Sequence, residues 1–300
     1  MPALLVALVV LQVAPPEQEP RPEPVLATEA TRADAKALAR LQQPGEVLFH
    51  DEFESADSLA SYFEVRGKDD GRARIDDTAG VAHAGHGALR LLSPAAEGHS
   101  SGAGASFWFG PDGRERVHLR YYVKFASDYD QGNLNHTGGS LSGVTGANKW
   151  AGMGGAGIRP KGDDDFSTRF EAWRDWGRVA PPGFLYCYTY WMDMKIDKDG
   201  HYWGNMLGPL EKERGVPERG KWYCHELMVK ANEPGAANGE LAAWIDGKLY
   251  LHYTGIRWRS DAKVLLKRFS LDVYVHAAAK DNVVWYDDVV LSTGYVGPVK

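Results

Sequence analysis

Two runs of the chain place a cation and several phenols at alternate positions. Residues 166–173 read Phe-Ser-Thr-Arg-Phe-Glu-Ala-Trp, and residues 184–191 read Phe-Leu-Tyr-Cys-Tyr-Thr-Tyr-Trp. A β-strand has a period of two, so each run would present one set of polar and aromatic side chains on a single face: Ser167, Arg169, Glu171 and Trp173 from the first, and Tyr186, Tyr188 and Tyr190 from the second. Burial of apolar surface gives no reason for such a set, whereas a groove that binds an acidic sugar chain needs both kinds of group.

The elements that would position these residues are strands. From residue 46 onward the chain consists of short alternating runs separated by Gly, Pro, Asn and Asp, which is typical of antiparallel β structure. Asp246-Gly247, between two such runs, predicts a tight hairpin because a two-residue turn needs positive φ angles. About a dozen predicted strands without a long helix between them indicate an all-β fold, a jelly-roll sandwich of two antiparallel sheets.

The N-terminal part of the chain has a different composition. Residues 1–14 form an apolar run that is short for a membrane span and resembles the core of an export signal. Residues 15–27 are rich in Pro and Glu and predict an extended tether, and residues 28–43 predict a short helix that Pro44-Gly45 ends. We therefore divide the chain into a signal-like segment (1–14), a tether with a short helix (15–45) and a jelly-roll domain (46–298), and expect a secreted or periplasmic protein without a membrane span once the signal is removed.

Composition narrows the range of partners. The 34 Lys and Arg against 40 Asp and Glu give a formal charge of −6, and no basic block occurs, so nucleic acid is not an expected partner. Ten Trp and fourteen Tyr suit a β core, and they also suit stacking against sugar rings.

The order of several short motifs resembles the polysaccharide lyase family 14 domain over residues 46–298. The motifs are Phe49-His-Asp-Glu-Phe, Leu119-Arg-Tyr-Tyr-Val-Lys-Phe, Gly138-Gly-Ser-Leu-Ser-Gly, Phe166-Ser-Thr-Arg-Phe, Leu185-Tyr-Cys-Tyr, Trp244-Ile-Asp-Gly and Trp285-Tyr-Asp-Asp-Val-Val-Leu. That family belongs to the concanavalin-like jelly rolls and includes alginate and glucuronan-type lyases. The resemblance implies an exported enzyme that cleaves an acidic, uronate-containing polysaccharide by β-elimination.

The resemblance also implies roles for the residues of the two runs. The family's Ser-x-Arg matches Ser167 and Arg169, so Arg169 would neutralise the uronate carboxylate. Its Leu-Tyr-x-Tyr matches Tyr186 and Tyr188. Tyr188 would transfer protons, provided that nearby cations lower the pKa of its phenol, and Tyr186 would assist. On the same faces, Glu171, Trp173 and Tyr190 are further substrate-binding candidates.

The sequence departs from the family in a Gly-rich stretch that we interpret as a loop. The family has the motif Gly-Gly-Lys-Leu-Pro-Gly, and its lysine is implicated in catalysis. The corresponding residues of this chain are 138–143, where Ser140 stands in place of the lysine. Either His136 or Lys149 takes its place, or the site has lost or changed its activity. His136 has the better case, because an imidazole can both neutralise a carboxylate and act as a base. Asn133, Ser140 and Lys149 complete the predicted substrate-binding set.

Several alternatives remain open at this level. A carbohydrate-binding or cell-surface module with the same fold and no turnover would use the same face. A glycoside hydrolase would need two carboxylates about 5 to 10 Å apart, and we find no evident pair. No cofactor is required and no catalytic metal site is predicted, although a structural calcium ion could bind the carboxylates of Asp51, Glu52, Asp287 and Asp288. Cys187 and Cys224 are either a disulfide or two buried thiols.

Overall fold

The computed structural model describes residues 22–96 and 100–299. The signal-like segment 1–14 and most of the predicted tether lie outside the described residues. The elements follow one another in the order β1 (Val25–Leu26), α1 (Thr28–Ala33), α2 (Ala35–Leu41), β2 (Val47–Asp51), β3 (Glu64–Arg66), β4 (Ala73–Asp76), β5 (Ala88–Ser93), β6 (Ser100–Trp108), β7 (Arg116–Phe125), β8 (Asn135–Val144), β9 (Asp165–Trp173), β10 (Phe184–Tyr190), β11 (Asn205–Leu207), β12 (Trp222–Lys230), β13 (Gly239–Ile245), β14 (Lys248–Ile256), β15 (Leu265–His276) and β16 (Asn282–Ser292). Two short 3-10 helices, Ala56–Ser61 and Glu211–Glu213, interrupt this order.

The strands form two antiparallel sheets. The back sheet has nine strands in the order β1-β14-β13-β12-β7-β16-β5-β4, with β2 also paired to β16. The cleft sheet has seven strands in the order β11-β10-β9-β8-β15-β6-β3. The core lies between them and is filled by buried residues of both sheets, among them Leu119, Tyr121, Phe170, Phe269 and Tyr286. The predicted all-β jelly-roll sandwich is confirmed.

The Asp246-Gly247 hairpin forms as predicted. It joins β13 to β14, with Ile245 paired to Lys248, and both turn residues have positive φ angles of 49° and 77°. This is the backbone twist that two-residue hairpins favour.

The stretch interpreted as a Gly-rich loop is instead the strand β8, at the centre of the cleft sheet between β9 and β15. Its small residues are explained by packing rather than by flexibility. A Cβ atom at Gly139 would lie 2.3 Å from the Tyr121 ring, and one at Gly143 would lie 2.3 Å from the Phe166 ring. The glycines therefore make room for large core side chains, which is a recognised use of glycine inside a strand.

The predicted short helix is two helices, because Asp34 leaves the helical conformation and its side chain accepts hydrogen bonds from the backbone of Lys36 and Ala37. Both helices lie against the back sheet, where Thr31 Oγ1 is 2.8 Å from His252 Nδ1. In the described part of the predicted tether, Val25 and Leu26 pair with β14. The domain boundaries themselves stay a prediction.

Of the two alternatives for the cysteines, the structure has free thiols. Cys187 lies in β10 of the cleft sheet and Cys224 in β12 of the back sheet, and both are buried. Burial raises the pKa of both thiols, and that of Cys224 rises to about 12.

The buried His225 should make the folded state less stable at acidic pH. Its ring is packed between the core rings of Tyr121 and Phe170, and burial lowers the pKa of the imidazole to about 3. The imidazole is neutral in the folded state and gains a proton in the unfolded state below about pH 6.5, so the free energy of unfolding falls as the pH drops from there towards 3. The loss attributable to His225 is at most about 1.4 kcal/mol per pH unit.

The measurement is denaturant unfolding at a series of pH values. We expect His225→Phe, which fills the same space without a titrating group, to show a shallower acid limb than the wild type. His201→Gln, which changes an exposed histidine, should keep the wild-type slope. If the free energy of unfolding of His225→Phe fell with pH as steeply as that of the wild type, His225 would not be a source of the acid sensitivity.

Candidate active site

Antiparallel register aligns polar side chains in rows across the cleft sheet. Cα pairing links Tyr188 to Arg169, Arg169 to Ser140, Ser140 to Ser270, Ser270 to Ser106 and Ser106 to Glu64. The neighbouring rows contain Tyr186, Glu171, Gly138, Asp272 and Gly104 on one side, and Tyr190, Ser167, Ser142, Arg268 and Trp108 on the other. The two runs singled out in the sequence are thus adjacent strands, β9 and β10, and they share a face with β8 and β15.

A buried carboxylate organises the floor of this face. The side chain of Glu171 is 0% exposed, and Tyr186 donates a hydrogen bond of 2.6 Å to its Oε1. His136 Nδ1 lies 3.0 Å from Oε2, and Arg169 Nε lies 3.8 Å from the same oxygen. Since a buried carboxylate is an acceptor, Nδ1 is assigned as the protonated nitrogen of His136. Glu171 therefore holds the imidazole with its other nitrogen, Nε2, available as a base.

Arg169 is an ion-paired group rather than a free cation. Its guanidinium lies 2.8 Å from Asp272 Oδ2 and donates to the carbonyl oxygen of Gly138 at 2.9 Å. Burial by itself would lower the pKa of Arg169, but Asp272 and Glu171 raise it, so the side chain stays charged. Arg66 also pairs with Asp272, at 3.1 Å.

Tyr188 lies beside the histidine, with ring centroids 4.8 Å apart. Its hydroxyl is 3.5 Å from that of Tyr190. Burial, followed by the interaction with Tyr190, raises the pKa of the Tyr188 phenol well above its ordinary value. The expected lowering of this pKa by nearby cations is wrong, because the guanidinium of its cross-strand partner Arg169 is turned towards Asp272 and Glu171. At neutral pH Tyr188 is therefore a proton donor.

The loop between β8 and β9 forms one wall of the cleft. Its residues 152–156 and 158–160 line a cavity of about 400 Å³ together with the polar rows of the sheet. The loop is fastened at two places: Arg268 donates to the carbonyl oxygens of Lys149 and Ala151, and Tyr202 N donates to Gly157 O at 3.0 Å. These contacts make the loop a fastened wall of the cleft.

A family model for polysaccharide lyase 14 matches residues 92–279, which is more than half of the chain. The chain belongs to the polysaccharide lyase 14 family. The predicted lyase domain is thereby confirmed, and the matched residues include β6 to β15, the strands that build most of the cleft. No curated protein matches the sequence.

Solved structures of lyases share the fold. The marine PL-14 alginate lyase from Aplysia kurodai has a TM-score of 0.59 at 16% identity, with 84% of this chain and 100% of that chain covered. The alginate lyase vAL-1 from Chlorella virus has a TM-score of 0.59 at 14% identity, covering 83% and 100%. The endo-β-1,4-glucuronan lyase from the fungus Trichoderma reesei has a TM-score of 0.51 at 15% identity, covering 83% and 96%. At these identities the likeness concerns the fold.

The predicted site residues of this polysaccharide lyase 14 domain are only partly brought together. The cleft is lined by His136, Ser140, Ser167, Arg169, Tyr188 and Tyr190. Tyr186 and Glu171 lie beneath it, both buried. Trp173 lies at the end of β9 against Trp176. Lys149 points its ammonium at the Phe63 ring, 5.0 Å from the centroid. Asn133 lies outside the cleft lining, and its buried Oδ1 has no hydrogen-bond partner among the described residues.

Sequence reasoning missed the contribution of β15. This strand presents alternate polar residues to the cleft, namely Arg268, Ser270, Asp272 and Tyr274. The signal was available, because these residues alternate with Phe269, Leu271 and Val273 in the sequence. Arg66 and Glu64 of β3 and Arg159 of the wall loop were also missed, and no local pattern marks them.

The predicted calcium ligands are only partly available. Among the described residues, His50, Glu52 and Asp288 place ligand atoms within 4.8 Å of one another. Asp288 is also 2.6 Å from His83 Nδ1, and Asp287 accepts from the backbone N–H of His83. Calcium prefers a full set of oxygen ligands, so the structural calcium ion stays a prediction. No helix in the described ranges is long and apolar enough to cross a membrane.

Proposed function

We propose that this lyase cleaves a uronate-containing polysaccharide by β-elimination and acts outside the cell. The observation that supports the chemistry is the pairing of His136, oriented by the buried Glu171, with the protonated Tyr188 in one cleft. β-Elimination needs a base and an acid close together, and here an imidazole nitrogen that can accept a proton lies beside a phenol that can donate one.

In the proposed reaction His136 Nε2 removes the proton on C5, next to the uronate carboxylate. The electrons of that C–H bond form the C4–C5 double bond, and the bond from C4 to the glycosidic oxygen breaks. Tyr188 gives its phenolic proton to the departing oxygen, and both residues recover their starting protonation by exchange with water. A cation against the carboxylate would stabilise the charge that develops during proton removal.

The choice of substrate rests on two kinds of support. The relatives in fold named above are alginate and glucuronan lyases, which act on uronate polymers. The cleft itself contains four arginines, Arg66, Arg159, Arg169 and Arg268. Export is proposed from the apolar run at residues 1–14.

The test is incubation of the protein with alginate, glucuronan and other uronate polymers, with neutral glucans as controls. β-Elimination leaves a double bond conjugated to the carboxylate, so the expected result is a rise in ultraviolet absorbance on at least one uronate polymer and none on the glucans. If the protein were retained on a uronate affinity gel but produced no absorbance change, it would bind the carbohydrate without cleaving it, and the lyase proposal would be wrong.

A further inference from the structure

Three of the four cleft arginines already have hydrogen-bond or ion-pair partners within the protein. Arg169 and Arg66 share Asp272, at 2.8 and 3.1 Å. Arg268 donates hydrogen bonds to the carbonyl oxygens of Lys149 and Ala151. An arginine that already faces a carboxylate must lose that partner, or share it, before it can pair with a substrate anion.

Arg159 differs from the other three. Within residues 22–96 and 100–299 it has no carboxylate within ion-pair distance and no side-chain hydrogen bond, and its guanidinium lies 5.6 Å from the centroid of the Tyr202 ring. It is half-buried and lines the same cleft as His136 and Tyr188. A half-buried arginine whose guanidinium has neither an ion pair nor a hydrogen bond is available for a ligand anion.

The position of Arg159 is fixed by the chain around it. Gly157, two residues before it, is tied to Tyr202 by the hydrogen bond described above, and Pro160 follows directly. Proline restricts its own φ and the conformation of the preceding residue. The backbone of Arg159 is therefore held on a fastened segment of the wall, so little backbone freedom would be lost when the residue binds a ligand.

From this charge balance we infer that Arg159 is the residue that pairs with the uronate carboxylate, and that it makes the site specific for acidic sugars. The inference rests on the proposed function for its substrate class. It assigns to the wall loop the cation that the sequence predicted on β9. Arg169 is then a positioning residue that holds Glu171 and Asp272. A planar guanidinium suits this task because it binds a carboxylate through two parallel hydrogen bonds.

The experiment compares Arg159→Gln and Arg159→Lys with the wild type in two assays. In kinetics on a uronate polymer we expect kcat/KM to fall by about 10- to 100-fold in Arg159→Gln, with partial recovery in Arg159→Lys, since a hydrogen bond to a charged group has this magnitude. On a polymer whose carboxylates are methyl-esterified, the wild type and Arg159→Gln should differ by less than about 3-fold. The matched control is Arg178→Gln, an exposed arginine paired with Asp175 on a turn outside the cleft lining.

The second assay is affinity electrophoresis in gels that contain the uronate polymer or a neutral glucan, and it does not depend on turnover. We expect Arg159→Gln to lose the retardation that the uronate gel imposes on the wild type, and Arg178→Gln to keep it. Wild-type retardation and kinetics in Arg159→Gln would overturn the inference. A wild type that is retarded but produces no unsaturated product would contradict the proposed reaction while the gel still tested Arg159.

Discussion

Replacing His136 with alanine is expected to slow formation of the unsaturated product by about 10²- to 10⁴-fold, the range associated with loss of a general base. The imidazole is the group that Glu171 holds with one nitrogen free, and it lies beside Tyr188. The measurement is the initial rate on the best uronate polymer found in the screen.

Two controls separate a base from a structural residue. The His136 side chain is 39% exposed, so His136→Ala should remain folded at the assay temperature, with a loss of about 1 to 3 kcal/mol because the buried Glu171 loses one hydrogen-bond partner. Added imidazole should restore part of the lost rate, because a free imidazole can enter the space left by the side chain. Glu171→Gln should lower the rate less than His136→Ala, since it weakens the orientation of the imidazole without removing it. Full activity in His136→Ala would show that His136 is not the general base.

Removing the hydroxyl of Tyr188 is expected to have an effect of similar size, about 10²- to 10⁴-fold, because Tyr188→Phe deletes the proton donor for the departing oxygen. The phenol has a raised pKa, so it is protonated throughout the neutral and mildly alkaline range. The wild-type rate should therefore not fall on the alkaline side through ionisation of Tyr188. A steep fall between about pH 8 and 9 that disappears in Tyr188→Phe would contradict the proposed role.

Tyr190 provides the matched control for Tyr188. It lies on the same strand, its hydroxyl is 3.5 Å from that of Tyr188, and it lines the same cleft. Tyr190→Phe removes an equivalent group from the neighbouring row, and we expect it to lower the rate by less than about 10-fold. Equal losses in the two variants would mean that the pair binds substrate and that Tyr188 does not transfer a proton.

The fold and the binding face could be predicted because both depend on local patterns. The period of two in residues 166–173 and 184–191 places Arg169 and Tyr188 on one face, and the structure has them as direct cross-strand partners. The hairpin at Asp246 is equally local, since two residues determine its turn.

The partners of the site residues could not be predicted, because they come from strands that are distant in the sequence. Asp272 reaches Arg169 only through the pairing of β15 with β8 and of β8 with β9, and no single run of sequence encodes that register. Residues 138–143 were wrongly interpreted as a loop, and here the local pattern itself was the cause. Their glycines are typical of loops, and they occur in a buried strand because the rings of Tyr121 and Phe166 occupy the space that side chains would need.

The hydrogen bond from Tyr202 to Gly157 has a consequence for protein engineering. It joins the wall loop that bears Arg159 to the segment that ends at Gly204, where a Cβ atom would lie 2.4 Å from the Tyr188 ring. A chimaera that exchanged residues 148–160 for a loop with a different backbone path would lose this hydrogen bond and the contact between the two segments. An exchange of residues 148–160 between related proteins should therefore include residues 196–204, so that the two segments are transferred together.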